Sequence, residues 1–568
     1  MKFDYVSFDF FDTLYSRRIL NPDNVIKLSI YNTISSLYDL NELEKLNLLN
    51  QIFYLRKEIE SIYYGRNDFK VLLKTIYHDE SFLTRFPINF ADTLISNEIA
   101  IEINNLFPRK DVHIFAQKMY SLGKKIVLIS DTYHTKDFLL KKLNEDNLEG
   151  IFSEIFVSSE NGLRKDNRDI YRFLLKEYNL NPKKWLHVGD NQTSDIAYAK
   201  EFGIQTKTIY KPQDQLENWY SSNSDVIKEN FILDYFVGIG NDFYQNNSFK
   251  KNNLAKGIDL KKISLFDFGY YILGPLLYGF LFEVNKSLSE NRVNAVFLSR
   301  EGIFFNKLLS KFVQDQKVGS ILINYPYNRE YTLDKSNSNK IKNLFVNSMD
   351  MDLDFLFIDI GYGGTMSKSI ATQFPNQKYR DFFFLKWPQV NESDINDSYI
   401  KDDKELGLID FLYRKSPIFE VFFSELLGEL VFSKKNKEFE RIDIYSSKEK
   451  SSILEVQRGI EKLGDYLINL GFYRVELSQD DKKILISNLM KITKERKLVK
   501  KFFKKLYFMD QNRKLFVGKS VLDIMDEPAY KLLIDKNVTK SSKFRKFLKL
   551  SVKIFKKLYF WHFVNKSN

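Results

Sequence analysis

The chain of 568 residues is 44% apolar and 28% charged, the balance of a soluble protein of about three or four domains, which excludes a disordered, collagen-like or polytopic membrane chain. It has no cysteine and five histidines, so disulfides, thiolate metal sites, iron–sulfur clusters and cysteine nucleophiles are excluded. The net charge is +12, yet Lys536–Asn568 holds ten Lys or Arg and no acid, which leaves +2 for everything before it; the basic character is local, and nucleic acid is not an expected partner.

The opening Met1-Lys2-Phe3-Asp4 lacks the apolar run of a secretion signal, so the cytoplasm is the expected compartment. Tyr5 to Phe8 reads as a buried parallel strand, and Asp9 and Thr13 follow at its carboxyl end, where open α/β sheets bind ligands. A stretch of helical periodicity follows, including Asn41 to Ile59 and Ile95 to Leu106. Lys125 to Ser130 is a second strand ending in a hydroxyl. Gly162-Leu163-Arg164-Lys165 precedes an amphipathic helix near 169–178. Trp185 to Gly189 is a third strand, followed by Asp190 and Asp195. Helices are expected after these strands, at Thr135 to Leu143 and Ile196 to Phe202. Strands alternating with helices predict a parallel sheet with crossover helices. Taken singly, Asp9 and Asp190 are also ordinary turn formers after strands.

As a set, in this order, these residues resemble the haloacid dehalogenase (HAD) superfamily. The resemblance implies an α/β, doubly wound parallel sheet over 1–215 with a helical cap inserted at about 17–110. It implies Mg²⁺ held by Asp9, the Phe11 carbonyl and Asp190, with Asp195 a ligand or an orienter. Asp9 would be the nucleophile, Thr13 its companion, Ser130 a hydrogen-bond donor to a phosphoryl oxygen, and Lys165 a compensating charge. One departure stands out: Phe11 occupies the place where phosphatases of the superfamily carry a proton-donating Asp, and Asp12 follows it. Arg17, Arg18, Tyr63, Tyr64 and Arg66 are cap candidates to face a phosphorylated ligand; a solvated helix face explains each equally well.

The polar stretch Lys211 to Asp225 reads as a linker. A second α/β domain is expected over 226–435. The uncharged run between Asp267 and Glu283 is shorter than a membrane span needs and broken by Gly274-Pro275, so a buried helix is expected. Asn294 to Leu298 and Asp354 to Asp359 read as strands. Each leads into a turn and a helix, from Ile303 to Phe312 and from Met366. In Gly361-Tyr362-Gly363-Gly364-Thr365, glycines before a helix suit an anion such as a phosphate or nucleotide, with Arg300 and Thr365 as partners. Its order is similar to phosphoribosyltransferase-like folds; a ligand-free tight turn is the competing reading. With Leu273-Gly-Pro-Leu276 and Phe297 to Gly302, the N-terminal motifs resemble large bacterial HAD-like hydrolases of surface-polysaccharide clusters, some fused to glycosyltransferases. That resemblance implies a phosphatase or phosphotransferase acting on a sugar- or nucleotide-linked phosphate. The alternatives are a glycosyl- or phosphoribosyl-type transferase centred on 226–435, or a membrane-associated scaffold.

A mainly helical region is expected over 436–535. In the tail, 536–568, Phe544, Phe547, Leu548, Ile554, Phe555 and Leu558 keep helical spacing, with Lys and Arg between them. This reads as an amphipathic helix on an anionic membrane surface, which would make the protein peripheral on the inner face of the plasma membrane. Docking on a protein surface is the competing reading.

Overall fold

The computed structural model describes residues 3–503, apart from 66–69, 250–262, 314–319, 328, 363, 387–395, 401–417, 425, 427–428, 434–437, 443–444, 474 and 495–501. The expectations for Arg66, Gly363 and the basic tail 536–568 therefore lie outside the described residues. The chain divides into two compact units: Met1–Asp259 with Tyr466–Phe472, and Leu260–Asp465 with Tyr473–Asn568.

In the first unit the strands are β1 (Tyr5–Phe8), β2 (Tyr15–Arg17), β3 (Leu106–Pro108), β4 (Lys125–Ser130), β5 (Glu154–Val157), β6 (Trp185–Gly189) and β7 (Gln205–Thr208). Five of them form a parallel sheet in the order β5-β4-β1-β6-β7. Alternate residues of the central strands face opposite ways. Val6, Phe8, Ile126, Leu128, Leu186 and Val188 enter one core with the helix Lys110–Ser121 and the helix Lys136–Glu145. Tyr5, Val127, Ile129 and Trp185 enter another with the helix Asp169–Glu177. Apolar side chains at Tyr5, Val6 and Phe8 are therefore required on both faces of β1, each contributing about 1.5–3 kcal/mol on burial. This is the doubly wound HAD-like fold that the motifs implied.

The insertion leaves and returns through β2 and β3, which pair antiparallel, Ser16 opposite Phe107. It contains α1 (Asp23–Leu37), α2 (Glu42–Gly65), α3 (Leu73–Tyr77), α4 (Glu80–Leu83) and α5 (Ile88–Asn105). Asn41 opens α2 with a reciprocal cap: its side chain accepts from the Glu44 N–H at 3.0 Å, and Glu44 accepts from the Asn41 N–H at 2.9 Å.

The second unit has its own parallel sheet of β8 (Asn294–Leu298), β9 (Ile321–Tyr325), β10 (Phe355–Tyr362), β11 (Tyr379–Lys386) and β12 (Asn396–Ile400), in the order β12-β11-β10-β8-β9. Among the described residues, one helix, Leu265–Glu290, has the length and apolarity to cross a membrane, but 78% of its most apolar window is buried within the protein. Its tight packing explains the glycines. A side chain at Gly269 would run into the Val456 carbonyl, and one at Gly459 into that of Phe266.

The stretch expected as a linker is not one. Pro212–Tyr220 is a helix whose Gln213, Gln215 and Leu216 are buried, and the first unit continues to Asp259 instead of ending near 215. Asp234 shows why. From the buried helix Phe231–Gly238 its carboxylate accepts from the N–H groups of Leu20 (2.7 Å) and Asn21 (3.0 Å) and from Asn24 Nδ2 (2.7 Å), tying the later segment to the start of the insertion. Burial pushes the Asp234 carboxyl up to about 7 against those donors. Because the folded value is raised, its contribution to stability is complete below the ordinary 3.8 and is lost as the pH rises through about 7. Asp234→Ala, which leaves two N–H groups unpaired, is expected to cost about 1–3 kcal/mol. Asp234→Asn is expected to be less harmful relative to wild type at pH 8 than at pH 5; urea unfolding at the two pH values checks both.

Candidate active site

Three strand ends converge. After β1, the Asp9 N–H still bonds to the Val188 carbonyl at 2.9 Å, so Asp9 emerges at the carboxyl edge of the sheet. The chain then turns tightly, with the N–H groups of Leu14 and Tyr15 both bonded to the Phe10 carbonyl and Asp12 in the left-handed region (φ 55). Buried Arg109 holds this turn through the Asp12 carbonyl (3.2 Å), Ser16 Oγ (3.1 Å) and the Tyr210 carbonyl (2.8 Å). β4 ends at Ser130. β6 ends at Gly189, and the Asn191 side chain caps the turn of helix Gln192–Ala197 that carries Asp195. Gly189 is required there, because a side chain would strike Asp195.

Lys165 closes the group. Its backbone N–H donates to both oxygens of Asp131 (3.1 and 2.9 Å), and its Nζ donates to Asp9 Oδ1 at 2.5 Å and to Asp195 Oδ1 at 2.6 Å. Burial would lower the pKa of this ammonium, but Asp195 and Asp9 outweigh burial and hold it well above its ordinary value. Asp195 is fully engaged: Oδ2 accepts the Asn191 N–H at 3.0 Å, and Oδ1 also receives His187 Nε2 at 3.2 Å. Burial keeps His187 neutral. Its Nε2 therefore carries the proton, and Nδ1 accepts from Ser7 Oγ at 2.7 Å, which in turn accepts from Trp185 Nε1 at 2.8 Å. Burial raises Asp195, but Lys165 and His187 prevail and hold it well below the usual carboxylate range.

Asp190 accepts from Thr13 Oγ1 at 3.1 Å and pairs with Lys211 Nζ at 3.0 Å. Burial, opposed by Lys211 and reinforced by Asp12 and Asp195, pushes it up to about 6. Burial, opposed by Lys165, likewise pushes Asp9 well above its ordinary value, with Asp195 and Asp190 adding to the rise. Oxygens of Asp9, Asp190 and Asp195 all lie within 4.8 Å of one another. Three crowded carboxylates favour a further cation, and their hard oxygen donors suit Mg²⁺. Ser130 Oγ is buried without a hydrogen-bond partner, the kind of orphan that a bound oxyanion satisfies.

The cap candidates behave differently. Arg17 is engaged with Glu102 (2.7 and 3.3 Å) and lies 4.4 Å over the Phe11 ring. Arg18 pairs with Asp242 at 3.0 Å, Tyr63 donates to Asp79 at 2.9 Å, and Tyr64 is covered by Arg164 at 4.6 Å. Sequence reasoning missed His187, Ser7, Asp131, Arg109 and Lys211. His187 and Ser7 sit inside strands, and their strand periodicity marked only burial. Lys211 lay in the stretch read as a linker.

In the second unit, Gly361 belongs to β10 (φ 108), Gly364 (φ 60) precedes the helix Thr365–Ala371, and Arg300 lies 3.5 Å from Glu301. The surroundings are acidic. Burial raises Asp359 well above its ordinary value, and Glu301, Glu420 and Asp381 reinforce it. A side chain at Gly364 would come within 3.1 Å of Asp381 Oδ2. The described residues thus put carboxylates where an anion was expected.

Residues 3–203 match the haloacid dehalogenase-like hydrolase family. A glyceraldehyde 3-phosphate phosphatase of Methanocaldococcus jannaschii is 25% identical over 210 residues, which are 36% of this chain and 84% of that protein. A protein of the same name from Pyrococcus furiosus is 24% identical over 160 residues, 27% of this chain and 64% of that one. The solved L-2-haloacid dehalogenase from Xanthobacter autotrophicus is 15% identical, with 39% of this chain and 83% of that chain covered and a TM-score of 0.26. Over residues 3–203 the first unit is thus similar to hydrolases of the haloacid dehalogenase-like family.

Because Lys211 competes for Asp190, Lys211→Met is expected to tighten Mg²⁺ or Mn²⁺ binding. Asp190→Asn is expected to weaken it by at least about tenfold. Isothermal titration calorimetry reads both.

Proposed function

We propose that this HAD-like module is a phosphatase or phosphotransferase in which Asp9 attacks the phosphorus of a phosphorylated small molecule. The observation that carries the reading is the Lys165 ammonium seated between Asp9 and Asp195 beside Asp190, with the buried Ser130 hydroxyl partnerless. A carboxylate approaches a phosphate dianion only if their mutual repulsion is offset. Lys165 is pinned for that purpose by Asp195, which the Trp185–Ser7–His187 chain holds in turn. One Asp9 oxygen is aligned by Lys165; the other attacks. Ser130 donates to a phosphoryl oxygen, and Thr13 orients Asp190. Asp9, Asp190 and the Phe11 carbonyl would hold Mg²⁺, which when bound supplies positive charge at the phosphoryl group. An aspartyl-phosphate forms and passes its phosphoryl group to water or to another acceptor.

The relatives named as glyceraldehyde 3-phosphate phosphatases support a small phosphorylated substrate. The motif resemblance supports a sugar- or nucleotide-linked phosphate of bacterial surface-polysaccharide assembly. The basic tail supports cytoplasmic action near an anionic membrane face.

With Mg²⁺ present, wild type is expected to release phosphate from some member of a panel of aryl phosphates, acyl phosphates, sugar phosphates, glyceraldehyde 3-phosphate and nucleotide sugars. Asp9→Asn is expected to lower that rate at least about 10³-fold, since it removes the nucleophile. EDTA is expected to abolish turnover and Mg²⁺ to restore it. Equal rates for wild type and Asp9→Asn would remove the assignment.

A further inference from the structure

The side chain two residues after the nucleophile is an aromatic ring, packed among groups held by other partners. The Phe11 ring, two residues beyond Asp9, is contacted by the Arg17 guanidinium at 4.4 Å, the Phe10 ring at 4.9 Å, the His134 ring at 6.0 Å and the Phe138 ring at 6.4 Å. Arg17 keeps its proton at any working pH and is locked to Glu102 through Nε and Nη2. His134 lies flat on Phe138, ring centroids 4.0 Å apart, and its Nε2 is buried without a hydrogen-bond partner, 4.0 Å from Glu102 Oε2. Its ring is thus spent on Phe138 and Glu102. The neighbouring carboxyl, Asp12, is held elsewhere: Oδ1 accepts from Gln213 Nε2 at 2.9 Å, and Oδ2 faces Arg17 Nη1 at 3.9 Å. Among the described residues, the groups packed on Phe11 are thus a guanidinium locked to Glu102, apolar rings and an imidazole turned toward Glu102, and Phe11 itself offers no carboxyl to hand a proton to a departing oxygen.

Resting on the phosphoryl-transfer reading, we infer that the substrate's leaving group is a weak base that departs as an anion: the chemistry of a phosphoanhydride, acyl phosphate or enol phosphate, not of an alkyl phosphate monoester. In the first step an Asp9 oxygen forms a bond to phosphorus, the bond from phosphorus to the leaving oxygen breaks, and that oxygen keeps the electron pair. Water then attacks the aspartyl-phosphate at phosphorus, the bond to Asp9 breaks, and the carboxylate is restored. In sum, ROPO₃²⁻ and H₂O give RO⁻ and H₂PO₄⁻. An alkoxide leaving group would need a proton at the first step, and a positioned acid is worth about 10²–10⁴-fold there. Nucleotide-linked phosphoanhydrides therefore fit this site, and ordinary sugar monoesters do not.

The test uses the full chain with Mg²⁺ in stopped flow, where the burst of released phenol isolates phosphoryl transfer to Asp9. The substrates are aryl phosphates whose phenols range from strongly to weakly acidic, with acetyl phosphate, a nucleoside diphosphate and glycerol 3-phosphate compared in the steady state. The burst rate is expected to fall steeply as the phenol becomes more basic. Acetyl phosphate or the nucleoside diphosphate should exceed glycerol 3-phosphate by at least about 10²-fold in kcat/KM. Phe11→Asp is expected to raise the ratio of glycerol 3-phosphate to acetyl phosphate turnover by at least about tenfold. A flat dependence on the phenol in wild type, with glycerol 3-phosphate as good as acetyl phosphate, would overturn the inference while leaving the phosphatase reading intact. Turnover of none of these compounds would overturn both.

Discussion

The first unit is organised around one buried ammonium. Lys165 bridges Asp9 and Asp195, and each of those carboxylates is buried where a lone charge would be prohibitive. A long flexible side chain held in this way needs both ends secured. Asp131 fixes its backbone, and a chain from Trp185 through Ser7 and His187 fixes the carboxylate that receives it. Truncating any link leaves a charge or a polar atom without its partner in low dielectric, which explains why so many polar groups are stacked beneath a sheet edge that otherwise buries Val, Phe and Leu.

The same electrostatic logic separates the carboxylates into two kinds. Asp195 is saturated by Lys165, His187 and the Asn191 N–H, and its pKa is depressed. Asp9 and Asp190 keep capacity, and burial raises both. One carboxylate with its oxygens already engaged and two with capacity left are thus made from a single residue type by what surrounds each.

Much of the fold was legible because the doubly wound sheet demands apolar runs at β1, β4 and β6, and those runs read directly from Tyr5–Phe8, Lys125–Ser130 and Trp185–Gly189. The insertion was legible as excess chain between Asp9 and Ser130. Lys211 to Asp225 was misread because polar, Pro-containing text marks a linker only when it is exposed. Here Gln213 and Gln215 are buried, and Lys211 meets Asp190. The Gly-rich stretch of the second unit was read as an anion site with Arg300 and Thr365, and the carboxylates of Asp381 and Glu420, which join Glu301 around Asp359, come from distant segments.

By itself the amino-acid order determined the class of sheet and which strand ends would carry Asp9, Ser130 and Asp190, with Lys165 before a helix, because hydrophobic period and turn chemistry act over a few residues. Only the tertiary structure decided what each of those groups does. Charge compensation and the surroundings of Phe11 depend on partners from about twenty to two hundred positions away, such as Lys211 with Asp190, Lys165 with Asp9 and Gln213 with Asp12. Electrostatic energy follows distance and burial, and neither is a property of the chain until it has folded.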